Sequence, residues 1–229
     1  MGDVSWRLSH PDEWGFAAIV GDVDDDGYVD LALSTDEFST EVCFLRGGPG
    51  GFPTDTSACL WWPLEHEVDV ITAGDVDGDG VPDLLVATTA GEGGRGTLYY
   101  GGTGFSWSDP LSLSSDGYSP GPQILPDLTG DGRADLLWRG EHDGLCVIEG
   151  ARFTAPVDHT SPGARCVEWP ATIVWHDPTP WFVSHTGDVD RDGVHDLLVY
   201  VSSAEAGIRG EGIAAAFRPT DPGPLLPMW

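Results

Sequence analysis

The chain has 229 residues, of which 40% are hydrophobic, and its 38 acidic residues against 10 basic ones give a formal net charge of -28. This is the composition of a globular chain with a core, and it excludes an acidic disordered one. A surface this negative repels nucleic acid and anionic lipid, and no apolar run approaches the ~20 residues of a membrane span. We therefore expect neither nucleic acid as a partner nor membrane insertion.

Taken in chain order, the predicted elements are short strands separated by Gly, Pro and Asp turns. An isolated strand, VSWRL at 4–8, comes first. Three groups follow, each with an apolar segment, an acidic loop and three further apolar segments, the last of which carries Trp. A final group has three clear strands and a short tail, GPLLPMW. The acidic loops are GDVDDDGYVDLAL (21–33), GDVDGDGVPDLLV (74–86), PDLTGDGRADLLW (126–138) and GDVDRDGVHDLLV (187–199).

The acidic loops recur as a repeat. Their first Asp falls at 22, 75, 127 and 188, with spacings of 53, 52 and 61 residues. Four short strands in a repeat of about 50 residues are typical of one blade of a β-propeller. The sequence therefore predicts an all-β fold, a β-propeller of four four-stranded antiparallel blades in a single domain, 1–229. The predicted repeats are approximately 12–62, 63–114, 115–170 and 171–229.

The two ends of the chain bear on how such a ring closes. Residues 4–8 are similar to the fourth-strand segments, so they would pair onto the last blade as a closing outer strand and protect its edge. In the alternative, LLPMW is the last blade's own fourth strand. The chain is then either a fragment or half of a larger ring that a partner completes, for example as a homodimer.

The loops have the pattern of a calcium site. Their first, third, fifth and ninth positions carry oxygen side chains, and the sixth is a Gly that permits a sharp turn. Calcium takes six to eight hard oxygen ligands, whereas magnesium demands a stricter octahedron and zinc prefers Cys or His. The pattern resembles the first part of an EF-hand loop, and by that analogy the seventh residue adds a backbone carbonyl. Those residues are Tyr28, Val81, Arg133 and Val194.

The motif D-x-D-x-D-G-x-x-D-L, with Gly15 and Phe16 ahead of its first copy, is similar to that of the FG-GAP/VCBS repeat family, which includes the propellers of integrin α subunits. The resemblance implies that each loop joins the first two strands of a blade and binds calcium on one face of the propeller, about four ions in all. In the third loop Thr129 replaces an Asp, so we expect that site to bind calcium most weakly. The side-chain ligands carried across are Asp22, Asp24, Asp26 and Asp30; Asp75, Asp77, Asp79 and Asp83; Asp127, Thr129, Asp131 and Asp135; and Asp188, Asp190, Asp192 and Asp196.

The alternative for these loops is metal-free Asp/Gly turns. Bound calcium would offset the mutual repulsion of the carboxylates, and its ligands must be deprotonated. We therefore expect chelation, or acidification below about pH 4–5, to destabilise the fold.

The four cysteines fall at equivalent places in two repeats. Cys43 and Cys146 lie on predicted third strands, and Cys59 and Cys166 lie on predicted fourth strands. We interpret the pairs Cys43–Cys59 and Cys146–Cys166 as disulfides within a blade, and buried free thiols are the alternative. Disulfides and millimolar calcium both occur outside cells, so we expect a secreted or cell-surface protein, although the N-terminus carries no signal-peptide pattern.

Nothing in the sequence predicts an enzyme, since Ser and His occur without a nucleophile elbow or another catalytic context. The ten Trp residues are expected to pack between blades, with stacking on sugar rings as the alternative. The function we expect is a calcium-binding extracellular module that presents loops to a protein or glycan ligand. The alternatives are a carbohydrate-binding lectin and a structural segment of a larger surface protein.

Overall fold

The protein folds into antiparallel β-sheets. Its computed structural model describes residues 17–34, 40–90, 93–114, 121–139, 145–158, 160–167, 181–188, 193, 195–202 and 212–217. The only helix in this part of the chain is one short 3-10 turn, Thr56–Ala58. The all-β prediction is therefore confirmed, whereas the predicted closing strand at 4–8 and the C-terminal tail lie outside the described residues.

Four sheets follow one another along the chain, and in each of them consecutive strands are neighbours. The first three sheets have four strands, and the fourth has three in its described part. The strands are β1 Ala17–Gly21, β2 Asp30–Ser34, β3 Glu41–Leu45 and β4 Leu60–Pro63; β5 Glu67–Gly74, β6 Asp83–Ala90, β7 Gly93–Tyr99 and β8 Leu111–Ser114; β9 Gln123–Leu125, β10 Asp135–Arg139, β11 Leu145–Ile148 and β12 Ala164–Val167; and β13 Trp181–Gly187, β14 Asp196–Ser202 and β15 Gly212–Phe217.

The second sheet packs between the first and the third. Side chains of a strand alternate between its two faces, so Leu84 and Val86 of β6 lie in one apolar cluster and Leu85 lies in another. The first cluster includes Phe44 of β3, and the second includes Leu136 of β10. Burial on both faces explains why the strand after each of the first three loops is a continuous apolar run.

The first strands of neighbouring sheets are also in contact. The amide of Ile124 in β9 donates a hydrogen bond of 2.8 Å to the hydroxyl of Thr72 in β5. The amide of Gly102 donates one of 2.8 Å to the carbonyl of Val23, and this bond connects the second sheet's repeat to the first acidic loop. These contacts, with the hydrogen bond from the amide of Ala134 to the carbonyl of Asp75, bring the acidic loops of the first three sheets to one end of those sheets.

Both disulfides expected from the cysteine spacing are present. Cys43 of β3 is bonded to Cys59, which lies directly before β4. Cys146 of β11 is bonded to Cys166, its cross-strand partner in β12. Within the described residues, no helix has the length and apolarity needed to cross a membrane.

Candidate metal centres

Each acidic loop lies between the first and second strands of its sheet and turns on a left-handed glycine. The sixth-position residues Gly27, Gly80, Gly132 and Gly193 have φ of 91°, 90°, 87° and 92°. Only glycine adopts this conformation without strain, which explains the residue type at that position. The fourth-position residue also has a left-handed conformation in each of the first three loops. In the first loop this residue is Asp25, with φ of 56°.

The first Asp of each loop accepts hydrogen bonds from the loop's own backbone. Asp75 accepts from the amide of Gly78 at 2.7 Å and from that of Gly80 at 2.9 Å. Asp22 and Asp127 are held in the same way. In the fourth loop the amide of Gly193 donates to Asp188 at 2.9 Å. The carboxylate therefore lies inside the turn that it stabilises.

The ninth-position Asp is buried and bonded on both of its oxygens. In the second loop, Asp83 accepts from the amide of Val76 at 2.8 Å and from that of Gly101 at 2.9 Å. The first loop repeats this arrangement with Asp30, and the third repeats it with Asp135. These three carboxylates are 0–1% exposed. Each one connects its loop to the second residue after the third strand.

The third-position carboxylates of the first two loops are paired with arginines. Nε of Arg46 lies 2.9 Å from Oδ2 of Asp24, whose side chain is 4% exposed. Arg152 forms an ion pair with Asp77, whose side chain is 2% exposed. In the third loop the hydroxyl of Thr129 donates to Asp135 at 3.2 Å, so the carboxylate is replaced by a group that needs no counter-charge.

Three carboxylates converge in each of the first two loops. One oxygen from each of Asp22, Asp24 and Asp30 lies within 4.8 Å of the other two, and the same holds for Asp75, Asp77 and Asp83. Two oxygens bound to one calcium at 2.3–2.6 Å are at most about 5 Å apart. The spacing therefore fits one calcium ion per loop.

The fifth-position carboxylates accept hydrogen bonds from amides two residues later in the same loop. Asp26 accepts from the amide of Tyr28 at 2.9 Å, and Asp79 accepts from the amide of Val81 at 2.9 Å. Asp131 accepts from Arg133 in the same way. None of the three belongs to a converging group of the described residues. To ligate an ion they would use their second oxygen.

Burial acts against the charge on these carboxylates. It raises the pKa of Asp83 to about 7 and that of Asp135 to about 6, although backbone amides that donate to both groups oppose the shift. The pKa of Asp30 is raised by the same cause. The pKa of Asp24 is raised by burial and by the charge of Asp26, and Arg46 opposes the shift. A bound cation would favour the charged form of all four groups.

One oxygen in the first loop has no hydrogen-bond partner. Oδ1 of Asp24 is fully buried and unpartnered, while Oδ2 of the same carboxylate meets Arg46. A buried carboxylate oxygen without a donor carries a desolvation cost that a metal ion would offset. The donor set is entirely hard oxygen, which favours calcium over zinc. The residues present in this loop therefore fit a calcium ion.

Some predicted ligands stay predictions. Asp190, Asp192 and Val194 lie outside the described residues, and Asp196 is described as the first residue of β14. Backbone ligation by Tyr28, Val81 and Arg133 stays a prediction, as does calcium binding in the third loop.

Two sets of residues were missed by the sequence reasoning. Gly47, Gly101 and Gly150 bind the ninth-position Asp, and their recurrence two residues after the third strand of the first three sheets was the available signal. Arg46 and Arg152 had no sequence signal, because they occupy different positions in their repeats.

Comparison with known families agrees with the loop pattern. Residues 75–138 match the model of the FG-GAP-like repeat, a segment that begins at the first Asp of the second loop and extends just past the third. No curated protein is significantly similar to the chain.

Proposed function

We infer, from the FG-GAP-like repeat at residues 75–138 and the succession of four sheets, that the sheets are blades of one β-propeller. The contacts between the first strands of neighbouring sheets support this arrangement, since first strands line the axis of a propeller. In the simplest version, residues 4–8 supply the outer strand of the last blade and close the ring within one chain. The alternative is a half-ring completed by a second copy of the chain.

The second part of the proposal is that the loops bind calcium, about four ions in all. The observation that carries it is the convergence of three carboxylates in each of the first two loops, with a buried unpartnered oxygen on Asp24. When bound, the ion supplies positive charge to groups that burial otherwise drives toward protonation. The chain's residues provide the rest, because the loop amides, and in the first three sheets a glycine shortly after the third strand, hold the carboxylates in place before an ion arrives.

The third part is that this calcium-stabilised scaffold is a binding module outside the cell, with a protein or glycan as its ligand. Two disulfides favour an oxidising compartment. Extracellular calcium at millimolar concentration would keep even weak loop sites loaded. We assign no catalytic activity to the module.

Calcium binding is tested by titration calorimetry and thermal unfolding of the chelated protein. We expect calcium to raise the melting temperature and magnesium at equal concentration to raise it much less. Asp24→Asn should weaken binding at one site, while Asp109→Asn, at an exposed position outside the acidic loops, should not. A melting temperature that excess chelator leaves unchanged would contradict the proposal.

A groove favours the lectin alternative as a second candidate. It has a volume of about 570 Å³ and runs between the end of β4 and strands β7 and β8. Trp62, Glu65, His66 and Arg95 line it, so one partly buried aromatic ring and charged groups border the same space. Sugar-binding sites combine these two kinds of surface. Retention on a glycan array that is lost in Arg95→Ala, with unchanged melting temperature, would support this function over protein binding.

A further inference from the structure

Two buried carboxylates of the acidic loops are neutralised by arginines that reach them from outside the loop. Arg46 follows β3 of the first sheet and contacts Asp24 at 2.9 Å. Arg152 follows β11 of the third sheet and contacts Asp77. Both arginine side chains are about half exposed, whereas both carboxylates are buried.

We propose that Arg46 and Arg152 are internal counter-ions that set the calcium affinity of the first two loops. Without calcium, each guanidinium offsets one buried negative charge and keeps the loop folded. With calcium bound to the same carboxylate, the guanidinium would repel the ion and lower its affinity. This inference rests on the proposed calcium binding, and it concerns how strongly two particular loops bind.

The geometry of Asp24 permits both partners at once. Arg46 contacts Oδ2, and Oδ1 of the same carboxylate is unpartnered. An ion on Oδ1 therefore need not displace the guanidinium. The two positive charges would then be a few ångströms apart in a poorly solvated place, where like charges interact strongly.

The third loop provides an internal comparison. Its third position is Thr129, whose hydroxyl donates to Asp135, so this loop has one acid fewer. By ligand charge alone it should bind calcium much more weakly than the first two loops. The arginine paired with a carboxylate of each of those loops cancels one charge and reduces the difference between the sites, whereas Arg133 of the third loop donates to the backbone carbonyl of Gly150.

Arg152 also connects the second loop to the neighbouring repeat. Its guanidinium lies 4.3 Å from the centre of the Tyr100 ring, and the next residue, Phe153, donates its amide to the Tyr100 hydroxyl at 2.7 Å. Arg46 makes a weaker contact to the second sheet's repeat, with 3.5 Å between Nη2 and the carbonyl of Phe105. Calcium affinity at the second loop should therefore depend on how the third sheet packs on the second.

The test measures calcium affinity and melting temperature in Arg46→Gln and Arg152→Gln. In each variant we expect the dissociation constant for calcium to fall by about tenfold or more at one site, the loop whose arginine has been replaced. The chelated variants should melt at a lower temperature than the wild type, and calcium should raise their melting temperature by more. Arg165→Gln is the matched control, because Arg165 pairs with the exposed Glu149. It should leave the affinity unchanged.

Conservative variants separate charge from packing. Arg46→Lys keeps the positive charge and should bind calcium like the wild type. If Arg152→Gln does not fold, because it loses its contact with Tyr100, Arg46→Gln carries the test alone. Unchanged or weaker calcium binding in Arg46→Gln overturns the inference but leaves the proposed function standing. A wild-type protein that binds no calcium overturns both.

Discussion

The amide of Gly47 donates a hydrogen bond of 2.9 Å to Oδ1 of Asp30, which lies 17 residues earlier in the chain. The same bond joins Gly101 to Asp83 and Gly150 to Asp135. Each of these glycines also lies against backbone, since an added Cβ would fall 2.2–2.3 Å from a carbonyl oxygen. In the first three repeats, one buried carboxylate and one glycine therefore fix the end of the third strand to the acidic loop.

Replacing this glycine should destabilise the first sheet. In Gly47→Ala the new methyl group would lie 2.2 Å from the carbonyl oxygen of Val29, so the backbone must move and the bond to Asp30 weakens. We expect a loss of about 3 kcal/mol of unfolding free energy, measured by urea denaturation in calcium. Gly48→Ala is the control, because its nearest neighbouring atom would be 3.9 Å away. Equal losses in the two variants would contradict this account.

The pH dependence of stability should differ between the chelated and the calcium-loaded protein. Burial raises the pKa of Asp83 to about 7 from an ordinary 3.8. Between these values the folded chelated protein holds a proton that the unfolded chain has lost, so its unfolding free energy falls as the pH rises from about 4 to about 7. Calcium needs the charged carboxylate, so the stabilisation that it adds grows over the same range. Melting curves at several pH values with calcium and with chelator check this, and a calcium shift equal at pH 5 and pH 8 would contradict it.

The pH range in which the stabilisation by calcium is lost lies higher than the sequence alone indicated. The ordinary pKa of Asp placed the loss of calcium stabilisation below about pH 4–5. The structure moves the upper end of this pH range toward pH 7, because the strands on both sides of the loop bury the ninth-position carboxylates away from water. A sequence pattern gives the identity of a ligand but not the depth at which it is buried.

The sequence predicted the repeated elements well because they are local. The strands on either side of each loop, the left-handed glycines and the two cysteine pairs all follow from residues close to one another in the chain. The pairing of Arg152 with Asp77 could not be predicted, since 75 residues separate them and only the packing of two sheets brings them together. The sequence singled out the third-position Asp as a calcium ligand, which stays a prediction, and its pattern gave no sign of the arginine that pairs with it.

The two disulfides should each contribute to stability by a similar amount. They close segments of 16 and 20 residues, for which the chain-entropy account gives about 3 kcal/mol each. We expect the double variants Cys43→Ala/Cys59→Ala and Cys146→Ala/Cys166→Ala to lose comparable unfolding free energy in urea denaturation under calcium. Thiol titration of the unreduced, denatured wild type should find no free thiol. Four free thiols would show that the pairs do not form.

Trp107 tests whether the tryptophans serve packing or sugar binding. It is 8% exposed and lies between Phe44 of the first sheet and Tyr99 of the second, stacked on Trp62 with ring centres 5.6 Å apart. A ring enclosed in this way has no face free for a sugar. Trp107→Ala should therefore cost about 3–5 kcal/mol of unfolding free energy, as expected for a large core aromatic.

Trp107→Phe should cost much less than Trp107→Ala. The indole Nε1 has no hydrogen-bond partner, so the smaller ring loses volume but no bond. Trp61, which is 37% exposed on β4, provides the comparison, and Trp61→Ala should cost less than Trp107→Ala because less of its surface is buried. Urea denaturation of the three variants measures these differences. Equal losses in Trp61→Ala and Trp107→Ala would mean that the aromatic cluster between the first two sheets does not hold them together.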